Sequence, residues 1–157
     1  MPTKYKVYLG LGGNLGDRNA LLDQAESLLN QRAGRIIQRS SRYETEPVGF
    51  VSSHPFLNEV VALETTLEPL ELLDCTEGIE QELGRRHKSL NGRYTDRPMD
   101  IDLLLVGDRL IDLPRLTVPH PRMHERKFVL EPLAEIAPEL IHPGLQRSIQ
   151  DLLNTWT

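Results

Sequence analysis

Asp100-Ile101-Asp102 sets two carboxylates at alternate positions of a run that continues as Leu103-Leu104-Leu105-Val106. Alternate residues of a strand point to one face, so the two acids stand side by side, on the order of 7 Å apart. A pair of acids at the mouth of a buried strand is costly unless a cation compensates it. Oxygen ligands on a rigid strand end suit Mg²⁺, which takes one or two carboxylates together with phosphate oxygens. Solvent or nearby arginines would also satisfy such a strand end, so the acid pair alone leaves both readings open.

The preceding segment carries the complementary charge. Arg85, Arg86 and Lys88 open it, and Arg93 and Arg97 close it just before the aspartates. Phosphoryl-type transfer is largely positioning and charge neutralisation, and it uses metal ions and cationic clamps together. Acids on a strand and cations on a loop hinged at Gly84 and Gly92 provide both, and the loop would close over a polyphosphate. Simple Arg–Asp pairing is the competing reading.

Other motifs narrow the chemistry mainly by exclusion. The stretch LGLGGNLGD at 9–17 lacks the third glycine of a dinucleotide fingerprint, Leu15 standing there, and no Gly-Lys-Ser/Thr follows. It reads either as a ligand loop or as a turn that lets backbones pack closely. The histidines show no zinc-protease spacing. His120, between prolines in VPHPR, is placed to present its imidazole to a nucleotide, although a structural histidine fits as well. No GxSxG occurs, so covalent catalysis has no support. Phe56 and Phe128 flank polar or basic residues and would stack a flat heteroaromatic ring, with Asn58 reading its edge; core packing is the plainer alternative.

These residues need a scaffold. Residues 5–11 read as a first strand, and 18–32 as a helix capped by Asp17 with Leu21, Leu22, Ala25, Leu28 and Leu29 as its stripe. Gly34 ends that helix. A second strand is expected over 35–43, a loop from Thr45 to Pro55, and a long strand over 56–66. Pro69 opens a helix over 69–83 with Leu70, Leu73, Ile79 and Leu83 inward. A fourth strand follows at 99–106, with a hairpin turn at 107–108 and a partner strand at 109–113. Short helices are expected near 129–136 and 148–154. The order predicts an α/β (α+β) ferredoxin-like βαββαβ sandwich with an added β-hairpin and short C-terminal helices.

Bulk properties bound the rest. The 157 residues suit one domain over 1–157. Net charge is −5, against a general nucleic-acid or membrane binder, yet the stretches 84–97 and 115–127 hold nine of the 18 Lys and Arg residues. Such focused basic stretches on an acidic body suggest an anion site. Cys75 is the single cysteine and reads as a small core residue. A strand-like start without a signal-peptide core, and no membrane-length apolar run, predict a cytoplasmic protein.

Together the residues resemble the 6-hydroxymethyl-7,8-dihydropterin pyrophosphokinase family, most specifically in RPMDIDLLL at 97–105, RLTVPHPRM at 115–123 and FLNEVVALET at 56–65. The family's ferredoxin-like fold agrees with the element order. The resemblance implies transfer of diphosphate from ATP to the pterin alcohol in folate biosynthesis, releasing AMP, by a monomer. It implies two Mg²⁺ ions on Asp100 and Asp102 and assistance from Arg85 and Arg97. It puts Glu80, Arg115, Thr117, His120 and Arg126 at ATP, and Thr45, Val48, Phe56, Asn58 and Phe128 around the pterin. Thr95-Asp96 replace the family's usual Gly-Pro before Arg97, Pro98 replaces a threonine, and Phe56 and Tyr94 keep aromatic character in altered form. Two rivals stand beside this reading. One is a two-metal nucleotidyltransferase on a ferredoxin-like palm, which would release pyrophosphate. The other is a non-catalytic small-molecule-binding domain, which would not need magnesium.

Overall fold

The computed structural model describes residues 3–46, 54–84 and 98–156. Its elements run β1 (Tyr5–Gly13), α1 (Arg18–Arg32), β2 (Arg35–Arg39), β3 (Tyr43–Thr45), β4 (Phe56–Thr65), α2 (Pro69–Glu82) and β5 (Asp100–Val106). There follow β6 (Ile111–Leu113), β7 (Leu116–Val118), a 3₁₀ turn at Met123–Glu125, α3 (Lys127–Ile136), β8 (Ile141–His142), β9 (Arg147–Ser148) and α4 (Ile149–Asn154). The main sheet has the order β2-β4-β1-β5, with β3 pairing the start of β4. Every pairing in it is antiparallel. Taking β1, β2, β4 and β5 as the four strands of the motif, this is the ferredoxin-like βαββαβ arrangement.

Strand alternation divides the core in two. Val7, Leu9 and Leu11 of β1 join Leu57, Val61 and Leu63 of β4 against Leu22, Ala25 and Leu29 of α1 and Leu72 and Ile79 of α2. On the other face Tyr8, Val60, Ala62 and Leu104 meet Val129, Leu130 and Leu133 of α3, and Ile149 and Leu152 of α4. Helices therefore cover both faces, which explains the almost unbroken burial of β4.

Local chemistry fixes the helix ends. Asp17 accepts the Ala20 N–H at 3.1 Å, as expected of an N-cap. Ahead of α2, Glu71 accepts the Glu68 N–H at 3.0 Å, and Pro69 stands in the first turn. Gly34 follows the cap residue Ala33. A Cβ at Gly34 would lie 2.1 Å from the Glu64 carbonyl oxygen, so the glycine permits close passage of two backbones.

Several sequence expectations need correction. The strand expected over 35–43 divides into β2 and β3, because Ser40 turns in toward β4 and exchanges bonds with Val60. The Ser40 N–H donates to the Val60 carbonyl, and its Oγ accepts the Val60 N–H. The partner of residues 111–113 is β7, not β5. The turn at Gly107 exists, with its N–H donating to Lys6, but the chain then leaves the sheet. The buried stripe of α2 is Leu72, Thr76, Ile79 and Glu80, while Leu70 is exposed. Cys75 is half-buried at the margin of the core.

Candidate active site

The site forms beside the start of α3, over the Gly10–Gly12 end of β1. Asp100 lies opposite Gly12 and Asp102 opposite Gly10. On the other side of β1, Gly12 and Gly10 pair with Asn58 and Val60 of β4. Glycines at alternate positions thus leave a trough on one face of the sheet, between the carboxylates of β5 and the side chains of β4. Two strand spacings put these rows roughly 10 Å apart, wide enough for a flat bicyclic ring.

Gly12 is essential to this shape. A Cβ there would fall 2.3 Å from the Asn58 Oδ1. Asn58 is held in place by its Nδ2, which donates to the Thr45 Oγ1 at 2.7 Å. Thr45 in turn pairs with Phe56 across β3 and β4. Phe128, Val129 and Arg126, from the start of α3, form the opposite wall, and the whole encloses a cleft of about 630 Å³, part of it open to solvent. The Arg126 guanidinium carbon lies 5.6 Å from the centre of the Phe128 ring, within cation–π range. Burial lowers the Arg126 pKa, though a guanidinium stays charged.

A second cleft, of about 850 Å³, opens on the other side of the carboxylates, lined by Glu77, Glu80, Arg115, Thr117, His120 and Pro121 among others. Asp100 and Asp102 line both clefts. This shared wall is the central feature of the site: one aromatic compartment and one polar compartment meet at two acids.

The neighbours of the acids hold them from the polar side. Glu80, buried in α2, accepts the Ile101 N–H at 2.7 Å and so pins the backbone between the two aspartates. Leu104 is an extra residue on β5, since Tyr8 pairs with Leu105 but Leu9 with Leu103. The carbonyl of this bulge accepts the His120 N–H at 2.9 Å, anchoring the following segment. The Arg122 N–H donates to the His120 Nδ1 at 3.2 Å, so the neutral imidazole carries its proton on Nε2. Burial pulls the His120 pKa down, partly opposed by the charge of Asp100. Arg115 binds Asp74 and Glu77 of α2 at 2.6 and 2.9 Å, placing its cation at the rim.

Of the residues singled out from the sequence, Thr45, Phe56, Asn58, Phe128 and Arg126 meet in the aromatic cleft. Glu80, Arg115, Thr117 and His120 meet in the polar one. Arg126, read from the resemblance as an ATP residue, is thus placed beside Phe128. Arg85, Arg97 and Val48 lie outside the described residues. Two supports went unnoticed in the sequence. Asn14 donates to the His54 carbonyl at 3.0 Å. Arg18 donates to the Pro55 carbonyl at 2.9 Å and pairs with Glu44 at 3.0 Å. Both brace the segment that delivers Phe56, Asn14 from just after the Gly-rich strand and Arg18 from the first position of α1.

Two compartments sharing a pair of carboxylates on a ferredoxin-like sheet suit a group-transfer enzyme that brings two small molecules together. A family model described as 7,8-dihydro-6-hydroxymethylpterin-pyrophosphokinase matches residues 8–138, and the chain belongs to that family. It is accordingly a diphosphotransferase of folate biosynthesis, with ATP and a pterin as its small-molecule substrates. A 2-amino-4-hydroxy-6-hydroxymethyldihydropteridine pyrophosphokinase of Porphyromonas gingivalis is 53% identical over 138 residues, covering 87% of this chain and 93% of the relative. Its counterpart in Bacillus subtilis is 47% identical over 135 residues, covering 85% and 79%. Among solved structures, a Plasmodium falciparum HPPK-DHPS with pteroate superposes with a TM-score of 0.79 at 19% identity over 98% of this chain. The chain spans 42% of that structure's length, and at this identity the likeness speaks for the fold. Among the described residues no helix is long and apolar enough to cross a membrane.

Proposed function

We propose that residues 1–157 act as one domain in which the aromatic cleft seats 6-hydroxymethyl-7,8-dihydropterin and the polar cleft seats ATP, with Asp100 and Asp102 holding two Mg²⁺ ions between them. The observation that carries this reading is the position of the two carboxylates in the wall common to both clefts. Their donor set fits the metal. Mg²⁺ takes few protein carboxylates and completes its shell with water and phosphate oxygens, and among the described residues no three acids, histidines or cysteines form a closed cage. When bound, the ions would neutralise phosphate charge in the transferring group.

The chain's own residues supply positioning. Phe56 and Phe128 present apolar ring faces for stacking, and the Asn58–Thr45 pair offers donors and acceptors to the edge of a pterin. The glycine floor lets that ring approach the sheet next to the acids. His120, with Nδ1 occupied, turns its Nε2–H donor to the nucleotide side, and Arg115 and Thr117 line the same side. The hydroxymethyl oxygen forms a bond to the β-phosphorus of ATP while the bridging bond to the α-phosphate breaks. AMP leaves and the hydroxyl proton passes to solvent, no side chain being assigned as general base. Arg85 and Arg97 keep the clamping roles that the resemblance implies. The resemblance implies a monomer, and the lone Cys75 suits a reducing compartment such as the cytoplasm.

Asp102→Asn tests the reading. Loss of a metal-holding charge predicts a fall in turnover of about two to three orders of magnitude, roughly 3–4 kcal/mol in the barrier. Pterin affinity is expected within about threefold of the parent, because the stacking and edge contacts remain. AMP and pterin diphosphate are followed by chromatography with and without EDTA. Full turnover in the variant, or EDTA-resistant turnover in the parent, removes the metal assignment.

A further inference from the structure

One group of polar residues outside both clefts ties two walls of the aromatic cleft together. Glu135, near the end of α3, accepts from the Ser41 N–H at 2.9 and 3.2 Å, from the Ser41 Oγ at 3.0 Å, and from the Tyr43 hydroxyl at 2.6 Å. These bonds join segments more than 90 residues apart in the chain. The Tyr43 bond, with help from the Ser41 donors, lowers the Glu135 pKa. The same bond, then burial, pushes the Tyr43 hydroxyl up to about 12. Carboxylate and phenol therefore keep their charge states through neutral pH, as a charge-assisted contact needs.

The location is what gives this group a function. Glu135 follows Phe128 by seven residues, close to two helical turns, so both project from one face of α3, roughly 10 Å apart along it. Tyr43 precedes Thr45 by two residues and shares its face of β3, about 7 Å away. Phe128 and Thr45 stand on opposite walls of the aromatic cleft. β3 is a three-residue edge strand whose ladder runs only to β4. The Glu135 group fastens its other flank to α3.

We propose that Glu135, with Tyr43 and Ser41, is a positioning group for the pterin: by tying β3, whose Thr45 pairs with Phe56, to α3, it sets the gap between Phe56 and Phe128 to the thickness of one flat ring. The inference rests on the aromatic cleft being the pterin compartment. Because the group is exposed, its loss is felt in the geometry of the cleft more than in global stability.

Tyr43→Phe and Glu135→Gln are made in the full chain, with Phe128→Ala beside them. Pterin Kd is measured by ligand fluorescence or calorimetry, and kcat, the KM for ATP and Tm are measured on the same preparations. The clamp variants are expected to weaken pterin binding by roughly five- to twentyfold, the scale of one or two lost hydrogen bonds. The KM for ATP should stay within about twofold, and Ser41→Ala, which keeps the backbone donor, should fall between parent and Tyr43→Phe. If Phe128→Ala weakens pterin binding while both clamp variants leave it unchanged, the positioning role is refuted and the pterin compartment stands. If Phe128→Ala also leaves pterin binding unchanged, the compartment itself is misassigned and the inference falls with it. Parallel loss of ATP and pterin affinity with a large drop in Tm would reduce the group to a structural tie, which also overturns the proposal.

Discussion

Replacing Gly12 by alanine adds one methyl group at the point where the trough is narrowest. The new Cβ would sit 2.3 Å from the Asn58 Oδ1, 3.2 Å from its Cγ, and 3.3 Å from the Leu57 carbonyl oxygen. Leu57 pairs with Gly13 across β1 and β4, so the backbone resists movement and the amide of Asn58 must give way. Turning it breaks the 2.7 Å bond to Thr45, at about 1 kcal/mol, and leaves a buried amide short of a partner, at about 1–3 kcal/mol. An off-rotamer side chain would cost about 0.5–1.5 kcal/mol instead. Folding stability should fall by about 1–3 kcal/mol in urea titration.

The larger effect is on recognition. An Asn58 turned away from the trough cannot pair with a ring edge, and about 2 kcal/mol of lost binding corresponds to roughly thirtyfold in pterin Kd. The KM for ATP should hold within about twofold, since the polar cleft is formed without Gly12. A cycle with Asn58→Ala separates clash from mere instability. Once the amide is gone, the extra methyl has little to strike, so the double variant should bind pterin no worse than Asn58→Ala. A Gly12→Ala protein with pterin affinity within twofold of the parent would refute both the trough and the role of Asn58 at its edge.

Two other substitutions probe the scaffold. Gly78 lies inside α2 with nothing within 4 Å of an added Cβ, so Gly78→Ala should stabilise the fold by about 0.5–1 kcal/mol in urea denaturation with activity unchanged; destabilisation would show that α2 is strained there. Burial, then the Glu26 carboxylate, pushes the Glu59 acid from 4.5 up to about 8, against the pull of Arg42. The folded protein thus keeps a proton that the unfolded chain has lost, and this contribution to stability declines as pH rises from about 4.5 through about 8. Glu59→Gln removes that titration, so the fall in urea midpoint across this window should flatten, and an unaltered slope would contradict the retained proton.

Legibility in the sequence followed how local the determining physics was. Asp17, Pro69 and the DIDLLLV run act within a few residues, and the cap, the helix start and the strand with its aligned acids are found where their patterns place them. The interruption of the strand at 40–42 depends on partners far along the chain. Arg42 reaches Asp23, Glu26 and Glu59, and Ser40 reaches Val60. On α2, Leu73, Ile79 and Leu83 pack on the core as their spacing predicts, but Leu70 is exposed, and a hydrophobic count passes over the buried Thr76 and Glu80. The strand expected over 5–11 runs on through Gly12 and Gly13, which the glycine-rich composition reads as turn. A clue was present in VYLGLGG, where large apolar residues and glycines alternate with period two. Such a pattern describes a strand with one packed face and one bare face.

That glycine face accounts for the cleft at this end of the sheet. At Tyr8, Val60 and Leu104 the sheet carries side chains and α3 packs on them. Gly10 and Gly12 add no side chain of their own, so the Leu104 side chain lies over Gly10 and the Asn58 amide over Gly12, and a cleft opens along the strip. The acids border this glycine strip and also line the second cleft, so under the proposed function they must stay fixed while ligands enter from both directions. Glu80 holds the amide between them, and the bulge at Leu104 ties the same strand to His120. The rigid elements thus carry the groups whose spacing must not change. Adjustable parts are left to the rim, where Arg115 rests on the exposed Asp74 and the half-buried Glu77, with which a bound polyphosphate would compete.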